Sequence, residues 1–318
     1  MAENGEASIS WRQIANRSWC AFWDDDCLTL GAALAYYSVF SLAPLLLTVI
    51  AIAGIAFGRE AVQTQIQGQV HDLIGAGAAD QLQAMLIAAS NQQAQGLLVT
   101  TAGIVFLLFG ATGAFAALQD ALNRIWHVTP DPSQGGIRSF LTKRLWSLGM
   151  ILGVAFLMMV SLIITAVLAA MSQWLGGFLP MAVSSRFLQA ASTFASFLVI
   201  AVLFGAIFRI LPDAEIHWRD VWVGALLTSL LFSLGKTALG IYLGRSGTAS
   251  IYGAASSLVL IVLWLYYASL ILLLGAEFTR AWAASSGRVV RPEPGAMGVI
   301  KREQPERIQI SQLPGEQH

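Results

Sequence analysis

Charge, histidine and cysteine are all scarce in this sequence, and each shortage removes a class of function. Charged residues make up 11% of the 318 positions and hydrophobic ones 56%, against about a quarter and just under a half in a soluble domain. So little polar surface points to a bilayer as solvent. The 18 basic and 18 acidic residues cancel to a net charge of zero, so the cationic excess that neutralises nucleic-acid phosphates is missing. Cys20 and Cys27 fit neither a disulfide framework nor a metal-ligand spacing and read as free thiols. His71, His127, His217 and His318 are scattered, with no H-E-x-x-H, nucleophile elbow or phosphate loop. No catalytic residue, metal site or cofactor is expected, and the chain is read as not an enzyme. The first 25 residues also lack the apolar core and cleavage site of a secretory signal, so the N-terminus is expected to be retained.

Long apolar runs are what the sequence does have. A spanning helix needs about 20 apolar residues, because the hydrocarbon core is roughly 30 Å thick and each residue rises about 1.5 Å. Six runs qualify, over about 28–57, 96–118, 145–170, 187–211, 221–243 and 251–276. The fold class is therefore all-α: a polytopic membrane protein with a bundle of six transmembrane helices (28–284) and amphipathic interfacial helices. Residues 1–27 precede the bundle, and Trp11, Ala15, Trp19 and Trp23 recur there at a four-residue step, as in a helix lying on the membrane surface. From Ser285 to 318 the composition turns to Pro, Gly, Gln and charge, which predicts a disordered tail. In the loop from Gly58 to Gln95, Ile66, Val70, Leu73 and Ile74, then Leu82, Met85 and Leu86, keep a helical period. Two short amphipathic helices should cap the outer face there.

Basic residues set the orientation, since they are enriched in cytoplasmic loops. One side would hold Arg12 and Arg17, the Arg124 to Arg144 group, Arg209 and Arg219, and the Arg280 to Arg307 group; the other only Arg59, Arg186 and Arg245. Both termini should face the cytoplasm. Trp11, Trp19, Trp23, Trp126, Trp146, Trp174, Trp218, Trp222 and Trp282 flank the proposed spans, as interfacial tryptophans do.

Among polar residues, Lys236 stands out, because a lysine inside a span is costly and by default marks a function. It lies about 22 Å along a roughly 30 Å core, so its ammonium could instead snorkel to the outer headgroups. Ser229, Ser233 and Gly240 share its face, a small, polar stripe suited to helix contact. Pro44 lacks a backbone donor and clashes with the Phe40 carbonyl, so the first span is expected to kink or break there. Broken helices line cavities in transporters, although proline also merely shapes packing in membrane helices. Tyr36, Tyr37 and Ser41 precede it and would offer hydroxyls to a cavity or to neighbouring helices. Glu277 and Asp120 stand three and four residues before Arg280 and Arg124. Local ion pairs at the span rims are the plain reading, and a proton or ion relay the alternative.

Taken together, several segments resemble the YihY/BrkB family, whose older label is ribonuclease BN and some of whose members are called virulence or serum-resistance factors. The resemblance rests on Ala32–Tyr37 with Ser41–Leu46, on Ala121–Trp126, and on Arg209–Pro212 with Trp218 and Gly224-Ala225. It continues through Tyr242, Ile251–Gly253, Trp264–Tyr266 and Leu274–Glu277. It implies a six-span protein of the bacterial inner membrane, and the residues give the ribonuclease label no support. The expected function is a transporter or lipid- and amphiphile-handling protein. Its cavity between helices would be lined by Tyr36, Tyr37, Ser41, Pro44, Ser233, Lys236, Tyr266 and Glu277. The alternative is a non-transporting scaffold or envelope-integrity factor. Expected partners are membrane lipids and a small-molecule or lipid substrate, with no nucleic acid; homo-oligomerisation stays open.

Overall fold

In hydrocarbon a helix is the one open segment that satisfies its own backbone, and the apolar runs fold accordingly. The computed structural model of the chain describes residues 10–58, 113–131, 181–245, 256–288, 290–293 and 295–299, with isolated positions at 60, 62–64, 66–68, 83, 149 and 153. Helix α1 (Trp11–Asp24) is followed by α2 (Cys27–Phe57), a helix α3 over 113–125 and strand β1 (Val128–Pro130). Then come α4 (Met181–Ile210), β2 (Ala214–Glu215), α5 (Trp218–Arg245), α6 (Ser256–Ser285), β3 (Arg291–Pro292) and β4 (Ala296–Gly298).

Among the described residues three helices are long and apolar enough to cross a membrane, Thr193–Ile210, Trp218–Ala238 and Ile261–Ser285, and Cys27–Ser41 forms a shorter apolar stretch. They correspond to the expected fourth, fifth, sixth and first spans. Most of the expected second and third spans lies outside the described residues. Trp222, Leu226, Leu230 and Leu234 are exposed at a four-residue step along α5, a stripe suited to acyl chains. The first span does not break at Pro44, because α2 runs through that position without interruption.

Helix α6 is the hub, packed against α1, α2 and α5, while α4 packs on α5. The α5–α6 contact is a reciprocal interlock of two Gly-x-x-x-Thr segments. Thr279 lies over Gly224 and Thr228 over Gly275, so that a Cβ added at either glycine would collide with the facing Oγ1. Each threonine hydroxyl donates to the carbonyl four residues earlier on its own helix, Thr228 to Gly224 and Thr279 to Gly275, both at 2.7 Å. The hydroxyls thus need no partner across the interface, and the helix backbones approach closely. Further along, Tyr267 covers Gly235, and its hydroxyl donates to the Leu231 carbonyl at 3.0 Å.

A helix forms over Trp11–Asp24, where the tryptophan spacing predicts one. In α1 Ile14, Ser18 and Phe22 are buried, while Trp11, Trp19 and Trp23 are exposed. Trp11 stacks on Trp282 of α6 with ring centroids 4.7 Å apart. In the loop from Gly58 to Gln95 Val62 and Ile66 are buried, and Gln67 Nε2 donates to Gln83 Oε1 at 2.7 Å; apart from 58, 60, 62–64, 66–68 and 83 its positions lie outside the described residues. Within the stretch from Ser285 to 318 that composition predicts to be disordered, Arg291–Pro292 and Ala296–Gly298 form β3 and β4, which pair antiparallel with β2 (Ala214↔Pro292) and β1 (Val128↔Gly298), and positions beyond 299 lie outside the described residues. Composition had pointed to disorder because this segment has little apolar surface of its own; its backbone is instead satisfied by two interhelical loops.

Replacing Gly275 by Val should overpack the α5–α6 interlock and cost about 1–3 kcal/mol, read as a lower thermal midpoint of the purified protein in detergent. Gly113→Ala, where an added Cβ meets nothing within 4 Å, is the control and should hold or raise the midpoint, because alanine is the better helix former.

Candidate functional site

One end of the bundle gathers charge that is withdrawn from solvent. Glu277 and Arg280 lie three residues apart near the end of α6 and so share a face. At the α1–α2 junction Asp25 ends α1, and Asp26 adopts φ +54° as the residue before α2. Thr29 Oγ1 donates to Asp26 Oδ1 at 3.0 Å, which holds the junction and turns Asp25 inward. Helix α3 ends at Ile125, and His127 takes φ +52°, reversing the chain into β1. A left-handed conformation is uncommon for a residue other than glycine, and here it aims the imidazole at the same spot.

Arg280 ties these segments together. Its Nη2 stands 2.8 Å from Glu277 Oε2 and 3.2 Å from Asp25 Oδ2. Its Nη1 donates to the Ile125 carbonyl at 2.8 Å and lies 2.8 Å from His127 Nε2. His127 Nε2 is also 3.4 Å from Asp25 Oδ2. Glu277 is 0% exposed and Asp25 4%. Glu277 Oε1 meets no hydrogen-bond donor among the described residues. The Cys27 thiol is buried nearby and free, while the Cys20 thiol is exposed and free. Next to the cluster opens a cleft of about 390 Å³ lined by Asp24, Asp25, Asp120, Arg124, His127 and Val299 among others. Among the described residues no three His, Cys, Asp or Glu side chains are grouped to hold a metal ion.

A second polar network fixes the surrounding loops. Asn123 Nδ2 and Gln119 Nε2 donate to the Asp213 carboxylate at 2.8 and 3.0 Å, and the Asp213 backbone N–H donates to Asn123 Oδ1 at 2.8 Å. Arg288 Nη1 pairs with Asp220 at 3.0 Å. These contacts join the end of α3, the α4–α5 turn and the tail. They are the segments that the arginine distribution had assigned to one side of the membrane, and here they touch.

Of the residues singled out in the sequence, only Glu277 enters the cluster. Its ion pair with Arg280 matches the local reading; its complete burial and its approach to Asp25 do not follow from that reading. Lys236 and Ser233 are half-buried on α5, and no carboxylate among the described residues lies within ion-pair distance of Lys236. Tyr36 and Tyr37 are exposed and grouped with Phe40, the Tyr36 and Phe40 centroids being 4.9 Å apart. Ser41 is buried and its hydroxyl donates to the Ser38 carbonyl at 3.2 Å. Pro44 lies within the unbroken α2. Tyr266 packs over Gly31 of α2, with Cε2 3.6 Å from where a Cβ there would be. Asp25 and His127 had no motif to mark them, but the Asp24–Asp26 run beside an apolar span and the histidine directly after Trp126 were their available signals.

The family profile described as Virulence factor BrkB matches residues 18–297. Curated relatives named UPF0761 membrane protein include one from Legionella pneumophila, 26% identical over 84% of this chain and 61% of its own length. One from Xanthomonas campestris is 29% identical over 88% of this chain and 61% of its own length, and one from Tolumonas auensis is 26% identical over 84% of each. The chain thus spans about three fifths of the length of several of these relatives. No solved structure matches.

The tail network supplies a pH test outside the membrane. Burial, the Asp213 charge and, against the pull of Arg209, the Glu215 charge raise the Glu293 carboxyl above its ordinary value. A group raised in the folded state costs stability once it is ionised in both states, so folding of this region weakens as pH rises from the ordinary carboxylate range through the raised value. Glu293→Gln should remove that loss. Backbone amides of β3 and β4 should exchange with deuterium more slowly in the variant than in the parent near neutral pH, and equally in both below the ordinary carboxylate range.

Proposed function

The chain belongs to the BrkB family of membrane proteins, and from that premise we propose that it is a transporter or lipid-handling protein working through ionisable side chains buried at one end of its helix bundle. The observation that carries this reading is Glu277, wholly buried within an apolar helix that is long enough to span. Ionisable groups at such positions are costly to keep and mark ion, proton or substrate paths in membrane proteins. The adjoining cleft would give the cluster a route to water, and the exposed tryptophans of α1 support a position for that route at the headgroup level. We place the protein in the bacterial inner membrane with both termini cytoplasmic. The arginine distribution and the contacts among the segments that carry it support that topology. In this reading Lys236 snorkels. The interlocked glycines and threonines of α5 and α6 favour a second reading, a non-transporting scaffold, because they leave no room between those two helices.

Reconstitution of the full chain in liposomes decides between the two. Internal pyranine would follow proton movement, and dithionite quenching of a fluorescent phospholipid would follow lipid transfer between leaflets. The protein should accelerate at least one of these processes. Glu277→Gln should slow that process about tenfold, equivalent to about 1.4 kcal/mol, and Lys236→Met should leave it unchanged. If the unmodified chain accelerates neither, the scaffold reading replaces the transport reading.

A further inference from the structure

Within the helix bundle Lys236 carries a charge that no described side chain balances. It is half-buried, and no ion pair or hydrogen bond joins its ammonium to another described residue. The helices around it have no carboxylate to offer: α2, α4, α5 after Asp220 and α6 before Glu277 contain neither aspartate nor glutamate. The polar groups beside it are engaged with backbone. Thr237 Oγ1 donates to the Ser233 carbonyl at 3.0 Å, and Tyr267, which covers Gly235, donates its hydroxyl to the Leu231 carbonyl. An ammonium in hydrocarbon is costly without an anion beside it, so its counter-charge must come from outside these helices.

The surface beside Lys236 fits one source of that anion. Along α5 the exposed stripe opens toward this residue, from 37% at Trp222 through 42% at Leu226 and 49% at Leu230 to 59% at Leu234. The helix is thus progressively less covered by its neighbours as it approaches Lys236, and Thr237 and Ala238 just beyond are exposed too. Lys236 lies about 22 Å into a core roughly 30 Å thick, and its stem carries the ammonium further, toward the phosphates of the nearer leaflet. An acyl chain descending from those phosphates to mid-bilayer covers about 15 Å, half the core, and so passes Leu234 and Leu230. A soluble anion would satisfy the ammonium and leave this apolar flank bare. A phospholipid supplies both the anion and the chain.

We propose that Lys236 forms a phospholipid-binding site in the leaflet remote from Glu277 and Arg280, its ammonium donating to the phosphodiester oxygens while the acyl chains lie along Leu234 and Leu230. The leaflet follows from the helix pairing: Gly224 near the start of α5 faces Thr279, two residues past Glu277, whereas Gly235 faces Tyr267, ten residues before it. Exposed Trp218 and Trp222 mark the other end of α5, where the opposite headgroups would lie. A compact, rotatable ammonium binds phosphate as a point charge, so the site accepts phospholipids as a class and does not select among their headgroups. The proposal rests on the reading of α5 as a membrane span and of Lys236 as a snorkelling residue. It does not rest on transport, since a scaffold would hold the same lipid.

The test uses the full chain with Lys143→Arg and Lys301→Arg, which leave Lys236 as its one lysine, isotope-labelled at the lysine nitrogen. In phospholipid bilayers, solid-state NMR should show the Lys236 signal dephased by phosphorus. An undephased signal there overturns the proposal and hands the ammonium to a carboxylate of the 58–95 loop, Glu60, Asp72 or Asp80. In bilayers of phosphate-free glycolipid bathed in inorganic phosphate the signal should stay undephased; dephasing in that arm assigns the site to free phosphate and overturns it as well. Native mass spectrometry of the detergent-solubilised chain gives a second reading. Lys236→Met should retain added phospholipid about tenfold more weakly than the parent, as expected for a lost charge-assisted hydrogen bond, and Lys236→Arg should hold it as the parent does. Equal retention by Lys236→Met overturns the proposal. Neither reading depends on flux, so a chain that moves neither protons nor lipid can still pass, and a transporting chain can still fail.

Discussion

Charge cannot be left alone in a medium of low dielectric, and the rest of this structure is organised around that constraint. An ionised carboxylate moved from water to protein interior loses solvation worth several kcal/mol even after relaxation. Glu277 is placed at 0% exposure in a helix that otherwise serves hydrocarbon. Arg280 offsets part of that loss from the same helix. One guanidinium serves two carboxylates, a backbone carbonyl and an imidazole. Its position therefore fixes the α1–α2 junction, the end of α3 and α6 relative to one another. Breaking a buried pair by removing one partner typically costs about 3–5 kcal/mol, so the cluster is a structural clamp as well as a chemical site.

The clamp needs a rigid bed, and the helix interlock supplies it. Without a hydrophobic force between helices in lipid, close packing must hold them. The paired Gly-x-x-x-Thr segments allow it because each threonine satisfies its hydroxyl within its own helix. The interlock lies one helical turn or so from Glu277: Gly275 and Thr279 bracket it in sequence. The face of α6 that locks onto α5 and the face that presents Glu277 and Arg280 to Asp25 thus belong to the same two turns. A shift of α6 along α5 would move the ion pairs with it.

Sequence made the solvent, the helical class and the helix over residues 11–24 legible, because each rests on a repeating pattern. Trp11, Ala15, Trp19 and Trp23 at a four-residue step needed no tertiary information. The site was much less legible. Glu277 and Arg280 advertise their pairing through i, i+3 spacing, but Asp25 comes from 252 residues upstream of Glu277 and His127 from 150, and no local rule links them. Lys236 drew attention through its cost in a span, whereas the carboxylate that is wholly buried sat near a predicted rim. The span limits explain this: α6 runs on to Ser285, so Glu277 lies inside the helix and not at its edge. The strands after α6 were hidden for a related reason. Composition reports what a segment can bury by itself, and the order at 291–292 and 296–298 comes from strand pairing with loops that lie far away in sequence.

The tail contacts also bear on how the cluster communicates with its surroundings. The backbone N–H of Val299 donates to the His127 carbonyl at 2.7 Å, and Val299 lines the cleft. His127 therefore carries two loads, the ring facing Asp25 and Arg280 and the backbone pinning the end of β4. Its left-handed conformation permits both at once, since the residue must leave α3, turn its ring inward and deliver its carbonyl outward to the tail. The residue is thus held in an uncommon backbone state. The strand pairing that it anchors is only a few residues long, and short edge contacts of this kind lie at the low-stability end of a fold. This short strand pairing is thus attached to the residue that stands between the cleft and the buried charge.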